Sequence, residues 1–198
     1  MFHKARNVLD LSFKSTKKPR PGSLLISDPF LDEEYFRRSV ILICEHNNEG
    51  TFGFVLNNYL DVDLHEVDKN FPDIQARISV GGPVETQSLF FIHSLGQQIE
   101  GSVAISETIS FGGEYEQVQQ LLKDPSNKNR IRFFLGYSGW AKDQLKGELE
   151  ENSWIVATNI STEDILNTQN NKFWEYCLEK QGERFKTISK FPINPQNN

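Results

Sequence analysis

The segment at residues 40–46, Val-Ile-Leu-Ile-Cys-Glu-His, constrains the fold of this chain more than any other. Successive residues of a β-strand point to opposite faces, and here both faces are apolar as far as Cys44. A strand with two apolar faces has to be covered on both sides, so we predict a central strand of a sheet. The same alternation predicts that Cys44 and His46 share one face and that Glu45 points to the other.

A turn sequence follows this strand at residues 47–50, Asn-Asn-Glu-Gly. Beyond the turn, Phe52, Phe54 and Leu56 fall on one face of a second apolar segment that ends at Asn57. Two strand patterns joined by a short turn that contains glycine predict a β-hairpin.

The rest of the chain mixes the periodicities of strands and helices. Further strands are predicted at residues 76–80, 88–93, 102–106, 131–137 and 154–157. Helices are predicted at residues 64–70, 114–122, 141–149 and 173–182. This mixture predicts an α+β or α/β fold. A chain of 198 residues fits one large domain, which we place at residues 22–182.

Charge is distributed unevenly along the chain. Residues 1–21 form a basic leader, predicted to be flexible, with an excess of five positive charges. Since the net charge of the whole chain is −6, the remainder carries −11, which repels phosphate backbones and argues against a broad nucleic-acid surface. The tail at residues 183–198, which contains two prolines and three asparagines, is predicted to be loosely ordered.

The composition predicts a cytoplasmic protein that does not enter the membrane. No apolar run approaches the roughly 18 residues that a membrane span requires. The two cysteines, Cys44 and Cys177, lie inside apolar segments in opposite halves of the chain, which is typical of reduced thiols rather than of a secreted disulfide framework.

A glycine corner at Gly81, Gly82 and Pro83 is the first candidate binding element. Consecutive glycines allow backbone amides to approach an anion closely, but a tight turn between strands needs the same residues. The lysine of a phosphate-binding loop and the three glycines of a dinucleotide-binding turn are both missing. The corner therefore predicts a turn in preference to an anion site.

A second glycine corner at residues 136–140, Gly-Tyr-Ser-Gly-Trp, lies where a predicted strand meets a predicted helix. A serine nucleophile is presented at such a junction in many hydrolases, and His46 or His93 could serve Ser138 as a base. Trp140, however, occupies the position of the final glycine in that motif, so we favour close packing at this corner over catalysis.

The residues that could bind a metal are too few for a recognised site. Cys44, His46 and His93 are the soft ligands that could converge, and they lack the short spacings of zinc sites. We therefore predict hydrogen-bonded structural histidines, with no metal and no cofactor. Gln144 and Glu148, one helical turn apart, are predicted to form a solvated pair.

Several short segments, in order, resemble the AlgH/YqgE family of bacterial proteins. They are Gly-Ser-Leu-Leu-Ile at 22–26, Phe-Arg-Arg-Ser-Val at 36–40, Glu-His at 45–46, Gly-Phe-Val-Leu-Asn at 53–57, Gly-Gly-Pro-Val at 81–84, Leu-Phe-Phe-Ile-His at 89–93, Leu-Gly-Tyr-Ser-Gly-Trp at 135–140 and Gln-Leu at 144–145. The flanking Asp143 and Lys146 depart from the family pattern, which usually has glycine before Gln-Leu and an acidic residue after it.

The resemblance implies an α+β domain with a strongly bent or barrel-like mixed sheet flanked by helices, in a cytosolic protein. Some family members carry the label of transcriptional regulator. No helix-turn-helix or other DNA-binding motif is recognisable in this sequence.

These observations favour a regulatory or ligand-binding protein over an enzyme. The candidate ligand-binding residues, expected to meet at one edge of the fold, are Glu45, His46, Asn57, Gly81, Gly82, Pro83, His93, Ser138 and Trp140. The partner is expected to be a small molecule or a protein. The alternatives are a small hydrolase that uses Ser138 with His46 or His93, and a regulator whose basic leader contacts DNA.

Overall fold

The computed structural model describes residues 17–167 and 172–190, which form one α+β domain. The strands within these residues are β1 (Leu24–Ser27), β2 (Val40–His46), β3 (Gly50–Val55), β4 (Tyr59–Leu60), β5 (Ile78–Val80), β6 (Val84–His93), β7 (Val103–Ala104), β8 (Ser110–Phe111), β9 (Ile131–Ala141) and β10 (Trp154–Ala157). The α-helices are α1 (Leu64–Val67), α2 (Tyr115–Leu121), α3 (Gln144–Glu150), α4 (Thr162–Asn167), α5 (Phe173–Glu179) and α6 (Glu183–Ile188).

The strands form one mixed sheet in the order β10-β1-β2-β3-β9-β6-β8-β7. All pairs along this path are antiparallel, and β5 adds a parallel pair with β9 and an antiparallel pair with β4. The predicted α+β fold with a mixed sheet and flanking helices is confirmed. The sheet does not close into a barrel, because the end strands β10 and β7 do not pair with each other.

The predicted central strand is confirmed as β2, which pairs with β1 on one side and with β3 on the other. Val40, Leu42 and Cys44 pack into a core beneath helices α4 and α5. Ile41 and Ile43 pack on the opposite face, together with two tryptophans. Both faces of the strand are therefore covered, which explains why its residues are apolar throughout.

A β-bulge at Cys44 changes the direction of the last two side chains of β2. Ile43 pairs with Gly53, but the next pair along the hairpin is Glu45 with Phe52. The extra residue shifts the alternation by one position. His46 therefore shares a face with Thr51, opposite to the face of Cys44, and the prediction that Cys44 and His46 lie on one face is wrong.

The Gly81–Gly82 corner lies directly against the backbone of β9. The Gly81 amide donates to the Leu135 carbonyl at 2.8 Å, and the Gly81 carbonyl accepts from the Val55 amide at 2.8 Å. A Cβ atom at Gly82 would lie 2.0 Å from the carbonyl carbon and oxygen of Tyr137. Because Gly81 and Gly82 are buried and the Gly81 amide is already bonded, the two glycines serve the packing of strands rather than an anion.

The segment predicted as a loose tail differs from that prediction at its start. Residues 183–188 form helix α6, in which Phe185 and Ile188 are buried. Two apolar side chains three residues apart face the core from one side of a helix, so the ordered domain continues past residue 182. Residues 1–16 of the predicted leader and residues 191–198 of the predicted tail lie outside the described residues.

The contact of Gly82 with β9 leads to a stability prediction. Gly82→Ala forces a methyl group into backbone atoms that belong to the centre of the sheet, and we expect it to lower the free energy of unfolding by at least about 3 kcal/mol. Urea denaturation followed by circular dichroism measures the change.

Gly147→Ala in α3 is the matched control, because no atom lies within 4 Å of its Cβ position. This control should gain roughly 0.5–1 kcal/mol from helix propensity. Equal stability of the two variants would contradict the packing role.

Candidate functional site

A cleft of about 590 Å³ opens where the β2–β3 hairpin meets the start of β6 and the end of β9. We call it the aromatic cleft. It is lined by Glu45, Asn47, Glu49, Gly50, Thr51, Phe52, Val84, Glu85, Phe90, Phe111, Tyr137, Gly139 and Trp140.

Partly exposed aromatic rings form the floor of this cleft. The Phe52 ring lies 5.2 Å from the ring of Phe111 and 5.9 Å from that of Tyr137, and Phe90 lies 5.7 Å from Tyr137. These three pairs have interplanar angles of 73–84°, so the rings meet edge to face. Phe52 pairs across the strands with Gly139, whose missing side chain leaves the rings uncovered.

Carboxylates form the rim of the aromatic cleft. Glu45, Glu49 and Glu85 are exposed there, and the lining contains no lysine, arginine or histidine. The Asn47 side-chain amide donates to the Glu45 carboxylate at 2.5 Å, which holds that group in place. Glu85 adopts a left-handed backbone conformation with φ of 50°, which is uncommon for a residue with a side chain. The cleft is therefore apolar at its floor and negatively charged at its entrance.

Two of the predicted site residues, Glu45 and Trp140, line this cleft. The indole of Trp140 nevertheless packs on the other face of the sheet, where its ring centre lies 6.0 Å from that of Trp154. His46 also faces that side, with its Nδ1 atom 2.6 Å from the Thr51 hydroxyl. It lines a separate depression with residues of α3, so Glu45 and His46 do not share a site.

Four other predicted site residues have structural roles or positions beside the cleft. Asn57 accepts from the Val40 amide and donates to the Arg38 carbonyl, both at 2.8 Å, and so fixes the start of β2. Gly81 and Gly82 are buried against β9. Pro83 is exposed and precedes Val84, the first residue of β6 in the cleft wall.

His93 does not line the aromatic cleft, and the expected meeting of His46 and His93 at one edge does not occur. His93 pairs with Ile131 at the start of β9, whereas Thr51, beside His46, pairs with Trp140 near its end. Nine residues of strand span up to about 30 Å. Alternation along one hairpin could not reveal this separation, because both β3 and β9 lie between β2 and β6 in the sheet.

The His93 imidazole is buried and fully occupied by local hydrogen bonds. The Leu95 amide donates to Nδ1 at 3.2 Å, so the ring proton resides on Nε2, which lies 2.9 Å from the Ser102 hydroxyl. Burial lowers the pKa of His93, and the charge of Arg130 lowers it further. His93 is a neutral structural histidine.

Ser138 does not stand at a strand–helix junction. It lies within β9, and helix α3 begins only at Gln144. Its hydroxyl is fully buried and donates to the Gly81 carbonyl at 3.0 Å. Since neither His46 nor His93 bonds to this hydroxyl, the arrangement gives no support to a hydrolase.

The structure gives no sign of a metal centre within the described residues, where no three histidine, cysteine or acidic side chains come together as ligands would. Cys44 and Cys177 are buried free thiols. Burial raises the pKa of both, so they remain protonated at neutral pH. None of the helices in the described part of the chain is long and apolar enough to cross a bilayer.

Glu148 has a structural role that the sequence did not reveal. Its carboxylate accepts hydrogen bonds from the indole of Trp140 at 2.8 Å, from the indole of Trp154 at 2.7 Å and from Gln144 at 3.0 Å. The predicted pairing with Gln144 is present, but the carboxylate is partly buried rather than solvated. Two tryptophans that flank helix α3 in the sequence are the signal for such an acceptor, because buried indole N–H groups need one.

Comparison with known proteins places this geometry in context. Residues 24–186 match the sequence profile of a family described as AlgH-like. A UPF0301 protein of Cytophaga hutchinsonii is 38% identical over 179 residues, which cover 89% of this chain and 98% of that protein. The crystal structure of a Corynebacterium diphtheriae protein aligns with a TM-score of 0.73 at 25% identity, over 88% of this chain and 94% of that one. The solution structure of the AlgH protein from Pseudomonas aeruginosa shares the fold, with a TM-score of 0.69 at 21% identity over 91% and 98% of the two chains.

The Glu148 contacts predict a stability loss that distinguishes it from its neighbours on α3. Glu148→Ala leaves two partly buried indole N–H groups without an acceptor and should lower the free energy of unfolding by about 2–4 kcal/mol. Glu150→Ala, an exposed position on the same helix, should change it by less than about 0.5 kcal/mol. Urea denaturation measures both. A loss at Glu148 no larger than that at Glu150 would show that the indoles do not depend on the carboxylate.

The lowered pKa of His93 predicts how stability depends on pH. As the pH falls below about 6.5, the ordinary value for an imidazole, the unfolded chain binds this proton before the folded chain does. The contribution of His93 to the free energy of unfolding should therefore be fully present above that pH. The free energy of unfolding should decrease as the pH falls towards the lower pKa of the folded state. Urea denaturation between about pH 5 and 8 measures the slope. The free energy of unfolding of the His93→Gln variant should depend less steeply on pH. An unchanged slope would show that His93 is not the source of the pH dependence.

Proposed function

The chain belongs to the AlgH-like family, and within that family we propose that it is a non-enzymatic binding protein whose site is the aromatic cleft. The proposed ligand is an organic cation: a small molecule, or the side chain of a partner protein, with a positive charge on an apolar group. A regulatory role would then depend on whether this ligand is bound.

The observation that carries this proposal is the combination of aromatic floor and acidic rim. The faces of aromatic rings attract cations, by roughly 0.5–1 kcal/mol at exposed sites and about 2 kcal/mol or more where water is excluded. Glu45, Glu49 and Glu85 add favourable charge at the entrance, and no cationic side chain of the lining competes. A cleft of about 590 Å³ has the size of a small-molecule site.

The lining supports binding rather than catalysis. It contains no serine, cysteine, lysine or histidine, and the Thr51 hydroxyl is bonded to His46 on the other face of the sheet. A serine or cysteine nucleophile paired with a histidine or lysine base is the usual arrangement for covalent hydrolysis, and the lining of the cleft does not supply that pair.

Direct reading of DNA has less support than ligand binding. The helices within the described residues have at most seven residues, shorter than those that typically fill a major groove. The acidic charge of residues 22–198 opposes a phosphate backbone. We therefore place the proposed regulatory role in the binding of a cationic ligand or partner.

The proposal is tested with choline and its neutral carbon isostere, 3,3-dimethylbutan-1-ol, by isothermal titration calorimetry. Choline should bind, and the isostere, which has the same shape without the charge, should bind at least about tenfold more weakly. Equal binding of the two probes, or no binding of choline and of other tetraalkylammonium ions, would refute the organic-cation site.

Variants locate the binding within the protein. Phe52→Leu and Tyr137→Leu keep apolar volume but remove a ring face, and each should weaken choline binding by about five- to thirtyfold. Glu45→Gln removes one rim charge and should weaken binding by a few fold, with a smaller effect at high salt. Glu150→Gln on α3 makes the same charge change outside the cleft and should leave the affinity unchanged.

A further inference from the structure

A buried arginine in β9 has no carboxylate partner among the residues that the structure describes. Arg132 is completely shielded from solvent, and its guanidinium donates to the Ile165 carbonyl at 2.6 Å, to the Leu56 carbonyl and to the Ser79 hydroxyl at 3.1 Å. Burial lowers its pKa to about 10, so it remains charged at neutral pH. A buried charge is costly unless an opposite charge balances it, and here only neutral acceptors surround it.

Three hydrogen-bond donors at this corner lack an acceptor. Within the described residues, the Nε atoms of Arg132 and Arg77 and the hydroxyl of Tyr59 are buried and have no hydrogen-bond partner. The Nη1 atom of Arg77 donates to the side chains of Asn129 and Asn167, both at 3.1 Å. Arg132, Arg77 and Tyr59 are neighbours. Tyr59 pairs across the strands with Ser79, which follows Arg77 by two residues. The guanidinium carbon of Arg132 lies 5.5 Å from the centre of the Tyr59 ring. Guanidinium groups can only donate, so the group that would complete this corner is an acceptor, and two positive charges favour an anion.

A second cleft, of about 480 Å³, opens beside these donors. We call it the β4–β5 cleft, since Tyr59 and Arg77 belong to its lining, together with the acidic side chains of Asp61, Asp63 and Glu66. It shares no lining residue with the aromatic cleft. A simple anion would be attracted by the arginines but repelled by the three carboxylates, whereas a ligand that also carries a positive charge would satisfy both sets.

We propose that the β4–β5 cleft binds a small zwitterion with a carboxylate and an ammonium group, of which a free amino acid is the simplest example. The ligand carboxylate accepts from Arg77 and Tyr59, with the charge of Arg132 behind them. The ligand ammonium group faces the carboxylates of the rim. Carboxylate–guanidinium hydrogen bonds are among the stronger ones in proteins, and the Arg77 guanidinium is the cationic donor in the lining of this cleft.

The test uses the full chain and a panel of free amino acids: glycine, alanine, glutamate, lysine and phenylalanine. Calorimetry measures their affinities, with acetate, inorganic phosphate and methylammonium as probes that carry one sign of charge alone. At least one amino acid should bind, and each single-charge probe should bind at least about tenfold more weakly. The proposal is overturned if no amino acid binds at millimolar concentration, or if acetate or phosphate alone binds as tightly.

Substitutions assign the site without disturbing Arg132, which bonds to α4, to β5 and to Leu56, the residue after β3. Tyr59→Phe and Arg77→Gln should each weaken amino-acid binding by at least about tenfold. Arg130→Gln removes the same charge from a residue that bonds to Ser94 and lies outside the cleft, and it should change the affinity by less than about twofold. Unchanged affinity in both cleft variants, with circular dichroism and melting temperature as in the parent, would also overturn the assignment. Choline binding in the same variants reports separately on the aromatic cleft.

Discussion

The approach of the Gly81–Gly82 corner to the backbone of β9 is the contact on which both candidate clefts depend. At Gly82 the two backbones are so close that no side chain fits between them. The corner joins β5, which pairs with the first half of β9, to β6, whose first residue pairs with Tyr137 in the second half. A single backbone contact therefore fixes the position of the β4–β5 cleft on one side and the wall of the aromatic cleft on the other.

The chemistry of the aromatic cleft follows from irregularities in otherwise regular strands. The bulge at Cys44 turns Glu45 onto the face of Phe52, and without it the carboxylate and the ring would lie on opposite faces of the sheet. A second irregularity, between Val84 and Leu89 in β6, places Glu85 at the rim in a left-handed conformation. Bulges are common beside functional sites because they redirect one side chain without disturbing the core.

These irregularities also explain how much the sequence could predict. The two apolar faces of β2, the hairpin with β3 and the helical period of α2 are local patterns, and the sequence predicts them well. The face of His46 was predicted wrongly, because an uninterrupted alternation contains no sign of the bulge. The separation of His46 from His93 depends on the order of strands around β9, which no local pattern encodes. The unsatisfied donors of Arg77 and Arg132 are likewise invisible until β5 and β9 are paired.

Gly136 explains how one strand can serve both a sealed core and an open cleft. It has φ of 69° and separates Ile131–Phe134, which are buried, from Tyr137 and Gly139, which are partly or fully exposed. A Cβ atom at Gly136 would lie 2.7 Å from the carbonyl oxygens of Gly82 and Val84, so a side chain is excluded by contact as well as by conformation. Because the strand changes its environment at this residue, Arg132 lies in the interior while Tyr137 reaches solvent. The two clefts thus offer opposite charges to a ligand, cationic donors within one and carboxylates around aromatic rings in the other, although a single strand supports both.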